Sequence, residues 1–165
     1  MDKKLQDAMN EQVTAEYQAA LLYRQLAYTM EAQSFPGFAS WFAEQAQEEC
    51  DHAEKFATHL IDRGHDVTLH TVALDAPSID SPLAAFQAAL EHERKVSAMI
   101  RNIAGIADEV KDFDSRSLIT WFLDEQISEE ATVSEIVDQL TLVGNDGSGL
   151  LRLDSGLGQR NDSSN

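Results

Sequence analysis

Two parts of the sequence carry acidic side chains at the same spacing. The first part reads Glu…Glu-x-x-His and the second Glu…Gln-x-x-Glu, with the same interval between the first two members of each set. The six residues are Glu16, Glu49 and His52, followed by Glu93, Gln126 and Glu129. A single Glu-x-x-His occurs by chance on solvated helix faces, so the repetition of the layout is what indicates a common site.

Each of these six residues lies in a stripe, a row of otherwise mostly apolar residues that recur at helical spacing and should face a protein core. Unpaired carboxylates in a protein core cost several kcal/mol each, and no Lys or Arg stands in the stripes at this level to offset them. Divalent cations would neutralise the carboxylates. Oxygen-rich ligation with one imidazole fits iron or manganese better than structural zinc, which prefers closed Cys and His coordination. The pattern therefore predicts a site for two metal ions.

The elements that must position these residues are helices. Helical periodicity predicts four long segments, about 3–32, 37–63, 82–109 and 114–143. Short links between the first two and the last two predict two antiparallel hairpins. The 65–81 stretch, which contains Pro77, is long enough to cross the bundle and make the second and third helices parallel. We therefore expect an all-α four-helix bundle with one long crossover over residues 1–145, a short C-terminal helix over 146–158, and a disordered tail over 159–165.

Each predicted helix has one apolar stripe at 3.6-residue periodicity, and the six chemical residues lie near the middle of their helices. The midpoints of packed helices of similar length lie at one height whatever their directions. The sequence thus predicts that all six side chains converge inside the bundle. Most other residues of the stripes are apolar or aromatic, such as Leu5, Met30, Phe42 and Leu140. The second stripe ends at His59 and the third at Ala104.

Charge narrows the class of partner. Twelve Lys and Arg against 29 Asp and Glu give a formal net charge of -17. Such a surface repels nucleic acid and anionic membranes and attracts cations. The N-terminal stretch lacks an apolar signal sequence and no segment is long and apolar enough for a membrane span, so we expect a cytoplasmic location. Cys50 is the only cysteine, which excludes an internal disulfide and a multi-thiolate metal site.

Other residues near the predicted site have two interpretations. Tyr23 lies on the same face as Glu16, where it could act functionally, by hydrogen-bonding a ligand or donating an electron, or only pack in the core. Glu48 and Glu125 flank the site and could form a third metal position or merely acidic surface. Trp121 is interpreted as packing, and Cys50 as a small buried or interfacial residue.

The motifs NEQVTAEYQAALLY, AQEECDHAEKF, EHERK and WFLDEQISEE together resemble those of the ferritin family, in particular the bacterial non-haem ferritins. The resemblance covers about residues 5–153. It implies a ferroxidase centre in which one iron is bound by Glu16, Glu49 and His52. Glu49 would bridge to a second iron, bound with Glu93 and Glu129, while Gln126 lies close and Tyr23 hydrogen-bonds nearby. It also implies a 24-subunit hollow shell that stores ferric oxide.

The sequence departs from the family pattern at several positions. Ser128 stands where an acidic residue often completes a third iron site with the equivalents of Glu48 and Glu125. Arg116 and Ile119 occupy positions where animal ferritins carry the acids that line a three-fold iron channel. The sequence therefore does not determine the route by which iron enters. Gly156 and Gly158 interrupt the predicted fifth helix, so its length is open as well.

Two related families fit less well. A bacterioferritin would have a second Glu-x-x-His and a haem-binding Met where Cys50 stands, so no haem is expected. A rubrerythrin would need four cysteine ligands for an additional iron site.

The favoured expectation is therefore a homo-oligomeric ferritin that oxidises Fe2+ with dioxygen. Two alternatives remain open at this stage. One is a di-iron or manganese oxidase that acts on an organic substrate, and the other is a non-catalytic helical interaction bundle.

Overall fold

The computed structural model describes residues 1–74 and 78–159. These residues form five helices and no strand. The helices are α1 (Lys3–Ala32), α2 (Pro36–Asp62), α3 (Pro82–Val110), α4 (Arg116–Val143) and α5 (Gly147–Gln159). The expected all-α bundle with a long crossover and a short C-terminal helix is confirmed. The fifth helix includes Gln159, which was expected in the tail, and the remainder of that tail, 160–165, lies outside the described residues.

Contacts between helix ends fix the helix directions. Lys4 at the start of α1 pairs with Glu109 at the end of α3, at 2.7 Å between Nζ and Oε2. Arg63, just after α2, pairs with Asp112 just before α4. Helices α1 and α3 are thus antiparallel, and so are α2 and α4. The short turn after Ala32 makes α1 and α2 antiparallel as well, so α2 and α3 run parallel and the chain between them must cross the bundle.

The crossing connection is fastened to the outer face of α1. Asn10 donates from Nδ2 to the carbonyl oxygen of Thr68 and accepts from its backbone N–H, both at 2.8 Å. Two turns further along the helix, Gln18 donates to the carbonyl oxygen of Ala73 at 2.8 Å. These bonds satisfy backbone groups of a segment that has no regular structure of its own. Residues 75–77, with Pro77, lie outside the described residues.

The fifth helix docks on the start of α2. The first turn of α2 has no capping side chain of its own, and Oδ1 of Asp154 in α5 accepts a hydrogen bond from the backbone N–H of Phe38 at 2.8 Å. Gly158 closely approaches the backbone of Gly37. Gly156 and Gly158 were expected to interrupt the fifth helix, but both lie within α5, and Gly158 allows close packing on α2.

The core consists of two apolar clusters with polar residues between them. The first apolar cluster includes Leu26, Met30, Phe38, Phe42, Phe86, Ile136 and Leu140, and the second includes Leu5, Met9, Val13, Phe56, Leu60, Ile100 and Phe122. The buried polar residues at mid-height of the four long helices are Gln12, Glu16, Glu49, His52, Glu93, Ser97, Gln126 and Glu129. We call these eight residues the polar layer. The predicted stripes are buried except at His59 and Ala104, which are half-buried.

Candidate metal centre

The tightest part of the polar layer is formed by α1 and α2. Glu16, Glu49 and His52 each offer one ligand atom, and these atoms all lie within 4.8 Å of one another. All three side chains are buried. The i,i+3 spacing on α2 puts Glu49 and His52 on one face, where Oε2 and Nδ1 lie 3.3 Å apart. The structure therefore brings together the first of the two predicted sets.

The second set surrounds Glu93 on α3. Tyr23 donates its phenolic hydrogen to Oε1 of Glu93, and Gln126 donates from Nε2 to Oε2 at 3.1 Å. Gln126 also lies 3.3 Å from the hydroxyl oxygen of Ser97. Both oxygens of Glu93 thus accept a hydrogen bond from a buried donor. Of the two interpretations of Tyr23, the hydrogen-bonding one describes this contact.

Glu129 on α4 is 8% exposed, and the charges of several other carboxylates act on it. Burial, followed by Glu93, Glu48 and Glu125, raises the pKa of Glu129 to about 8. Without a cation, this carboxyl group would hold its proton near neutral pH. The charges of Glu129 and Glu93 therefore interact within the polar layer.

The other three carboxylates show the same effect. Burial and then the charge of Glu49 raise the pKa of Glu16 well above its ordinary value. The pKa of Glu49 is raised by burial and then by Glu93, and that of Glu93 chiefly by burial. Within the described residues, no Lys or Arg forms an ion pair with any of these groups. Among the described residues, no Lys or Arg therefore supplies the positive charge that would stabilise these groups as carboxylates.

Unpartnered oxygens mark where a cation fits. Among the described residues, Oε2 of Glu16 and Oε2 of Glu49 are buried and accept no hydrogen bond. Gln12 occupies the other oxygen of Glu16, with a 2.9 Å bond from Nε2 to Oε1. Buried acceptors without donors cost free energy in a metal-free protein, and a divalent cation would remove that cost. The donor set, carboxylate oxygens with one imidazole nitrogen, suits iron or manganese.

Aromatic rings hold His52 in place. The rings of Trp121 and Phe122 both meet the imidazole edge-to-face, with centroids 5.5 Å away. Trp121 is 38% exposed and carries the ammonium group of Lys55 4.4 Å from its ring centroid. Packing is thus the role visible for Trp121, but it packs on a predicted ligand. The sequence reasoning did not anticipate that contact.

The flanking acids lie nearer to solvent. Glu48 is exposed and receives a hydrogen bond from Gln45, while Glu125 is half-buried and Ser128 is exposed. The charges of both glutamates contribute to the raised pKa of Glu129.

The channel positions and the cysteine differ in their surroundings. Arg116 is exposed and stacks over Phe113, with 5.2 Å from its guanidinium carbon to the ring centroid. Ile119 is buried in the second apolar cluster. Cys50 is half-buried, and burial raises the pKa of its thiol.

Comparison with known proteins decides the family. The family model described as a ferritin-like domain matches residues 6–143. The chain belongs to the ferritin family. It is 36% identical over 160 residues to the bacterial non-heme ferritin of Bacteroides fragilis, which covers 97% of this chain and 99% of that protein. The bacterial non-heme ferritin of Staphylococcus aureus is also 36% identical, over 162 residues, with 97% and 96% covered.

Solved structures give the same family. A ferritin from the archaeon Archaeoglobus fulgidus, described as a novel open pore ferritin, superposes with a TM-score of 0.93 at 37% identity. The match covers 96% of both chains. An engineered closed form of that ferritin matches with a TM-score of 0.92. The predicted membership of the ferritin family is confirmed.

Proposed function

We propose that this ferritin is a ferroxidase: it binds two ferrous ions in the polar layer and oxidises them with dioxygen. Iron is the substrate in this reaction. The observation that carries the proposal is the buried cluster of Glu16, Glu49 and His52, in which ligand atoms of all three residues lie within 4.8 Å of one another. One oxygen of each glutamate accepts no hydrogen bond from the described residues.

Each side chain has a distinct role in the proposal. One ferrous ion is held by Glu16 and by the Glu49–His52 pair. Glu49 is shared with a second ion, for which the oxygens of Glu93 and Glu129 are the ligands, with the Gln126 amide close by. Each ion gives one electron to dioxygen, and the two electrons with two protons from solvent reduce it to hydrogen peroxide. The second position has no imidazole, so it should bind iron more weakly and release the oxidised product more readily.

Other features of the protein favour the binding of iron at this site. The hydrogen bonds from Tyr23 and Gln126 hold the Glu93 carboxylate in one orientation. The apolar clusters on either side exclude water, which strengthens the attraction between the carboxylates and a cation. The acidic net charge of -17 favours delivery of Fe2+ to the protein.

We further propose that the chain assembles into a 24-subunit shell in the cytoplasm and stores the ferric product as mineral. The support is its likeness over nearly the whole chain to bacterial non-heme ferritins and to the Archaeoglobus ferritin. In the part of the chain that the structure describes, none of the helices has the length and apolar character of a membrane span. Glu48 and Glu125 are the ligands of a candidate third iron position, which lacks an acid at Ser128.

A cavity elsewhere in the structure gives no support to an oxidase that acts on an organic substrate. This cavity of about 450 Å³ lies between α1, α3 and the connection, and none of the predicted ligands is among the residues that line it. It is therefore not a substrate pocket beside the metal centre.

The test combines iron binding with oxidation. Metal-free protein is titrated anaerobically with Fe2+ and then exposed to oxygen, while the ferric absorbance is followed. We expect about two tightly bound ions per chain and rapid oxidation in the wild type. Glu49→Gln removes the shared charge and should abolish the fast phase, whereas Glu91→Gln, on the solvent face of α3, should leave it unchanged.

The proposal fails if Glu49→Gln oxidises iron as fast as the wild type. Size-exclusion chromatography tests the assembly separately. A species near 24 times the chain mass of 18.3 kDa supports the shell. A monomer or dimer instead favours a small oxidase, if it oxidises iron, or an interaction bundle, if it does not.

A further inference from the structure

Gln12 is a buried amide of the polar layer and lies next to the second apolar cluster. It is fully buried on α1, one turn before Glu16, while Met9 and Val13 beside it are apolar core residues. A buried amide costs free energy unless its groups find partners, and an apolar residue would serve packing better here. The presence of Gln12 therefore calls for a role beyond packing.

When Glu16 is ionised, as it must be to bind a cation, its contact with Gln12 has only one possible polarity. An ionised carboxylate accepts hydrogen bonds and donates none, so the amide must turn Nε2 towards it. Nε2 accordingly donates to Oε1 of Glu16 at 2.9 Å. The other carboxylate oxygen, Oε2, is the one that is buried without a partner among the described residues. The amide thus divides the carboxylate into one occupied oxygen and one free oxygen.

We propose that Gln12 is a positioning residue of the metal centre, which fixes the Glu16 carboxylate so that Oε2 is presented to the ion. The inference rests on the proposed iron site and adds a residue that is not itself a ligand. Carboxylate ligands are commonly oriented by such outer hydrogen bonds, and loss of one typically lowers metal affinity 10–100-fold.

The carbonyl group of Gln12 extends the same role. Its Oε1 is also buried and accepts no hydrogen bond among the described residues. Because Nε2 is turned towards Glu16, this free acceptor lies beside the ligand carboxylate. It is suited to accept a hydrogen bond from water that accompanies a hydrated cation.

The test measures ion binding apart from turnover. Gln12→Met keeps the length and volume of the side chain but removes the donor. Gln12→Asn keeps the amide but draws it back by one methylene. Anaerobic Co2+ titration of the full-length metal-free protein, followed by visible absorbance and calorimetry, reports affinity at each position without any oxidation.

We expect affinity for one of two ions to fall about 10–100-fold in Gln12→Met and to fall also in Gln12→Asn, while the other position is little changed. Met9→Ala is the control, since it opens a cavity one turn away and lowers the melting temperature without touching a predicted ligand. Its Co2+ affinities should equal those of the wild type.

Wild-type affinities in both Gln12 variants would overturn the positioning role, even if the variants are less stable. Equal losses of affinity in Met9→Ala would overturn it as well, because general destabilisation would then explain the effect. A wild type that binds no pair of ions would instead refute the proposed iron site. The two failures are therefore distinguishable.

Discussion

Gly37→Ala should detach α5 from the bundle. A Cβ atom at this position would lie 1.8 Å from the carbonyl oxygen of Asp154 and 2.5 Å from its carbonyl carbon. Both are backbone atoms, so a side-chain rotation cannot relieve the overlap. The whole of α5 has to move outwards by about 1.5 Å or more to restore an ordinary van der Waals separation of about 3.5 Å.

That movement removes the interactions that hold α5 in place. The hydrogen bond from the Phe38 N–H to Asp154, now 2.8 Å, would be broken; a capping bond of this kind contributes about 0.5–2 kcal/mol. Leu157, now 6% exposed, would return to water at a cost of about 1.5–3 kcal/mol. These two contributions add up to about 2–5 kcal/mol, and complete undocking would end the clash. A free helix of 13 residues is marginal in water, so α5 should also lose helicity.

Hydrogen exchange with mass spectrometry measures the result directly. Amide protection over 147–159 should fall sharply in Gly37→Ala, while protection over α1 and α3 stays close to that of the wild type. Gly105→Ala is the matched control, because nothing lies within 4 Å of its added Cβ. As a helical Gly→Ala change in open space, it should raise stability by about 0.5–1 kcal/mol. Wild-type protection of α5 in Gly37→Ala would refute the docking geometry.

Three further outcomes follow from single contacts. Tyr23→Phe removes an O–H donor to a predicted ligand, and the initial rate of ferrous oxidation should fall about tenfold in stopped-flow measurements; an unchanged rate would contradict the role. Binding of Co2+ should change the fluorescence of Trp121, because its ring contacts the predicted histidine ligand, and a Trp121→Phe control should lose that change. Arg63→Ala should lower the free energy of unfolding by about 2 kcal/mol at neutral pH, because it leaves the nearly buried carboxylate of Asp112 without its charged partner. Burial alone would raise the pKa of Asp112, but hydrogen bonds from Arg63 and from Ser115 outweigh it and lower that pKa. A carboxylate with a lowered pKa stabilises the fold above its unfolded-state pKa of about 3.9 and loses this effect as the pH falls through the folded value, so the difference in urea unfolding between wild type and variant should shrink near pH 3.

Helical periodicity was sufficient to predict the four long helices. Amphipathic stripes are a local property of the sequence, so the approximate ends of each helix could be inferred without knowing which elements pack against it. The meeting of Glu16 with Glu49 and His52 followed from one further premise, that midpoints of equal helices lie at one height. The structure brings these three together as that premise requires.

What the sequence could not reveal are contacts between elements that have no periodic signature. Nothing local to Asp154 indicates that it caps the first turn of α2, which lies more than a hundred positions earlier. Gly158 was interpreted as a helix breaker because glycine has a low intrinsic helix propensity, but packing against Gly37 outweighs that preference. The fastening of the connection by Asn10 was missed for the same reason.

The placement of the polar layer between two apolar clusters has a consequence for the stability of the metal-free protein. The clusters lower the effective dielectric constant around Glu16 and Glu49, so like charges repel more strongly there than they would at a surface. The metal-free bundle therefore either retains protons on these carboxyl groups or tolerates the repulsion between their charges. Both alternatives cost free energy compared with ionised carboxylates in water. Ferrous ions that bind the folded state stabilise it in proportion to the logarithm of their concentration over the dissociation constant. The low dielectric that destabilises the empty layer is thus the same property that favours a doubly charged ion within it, and a chain optimised for stability alone would have filled these positions with Leu and Met.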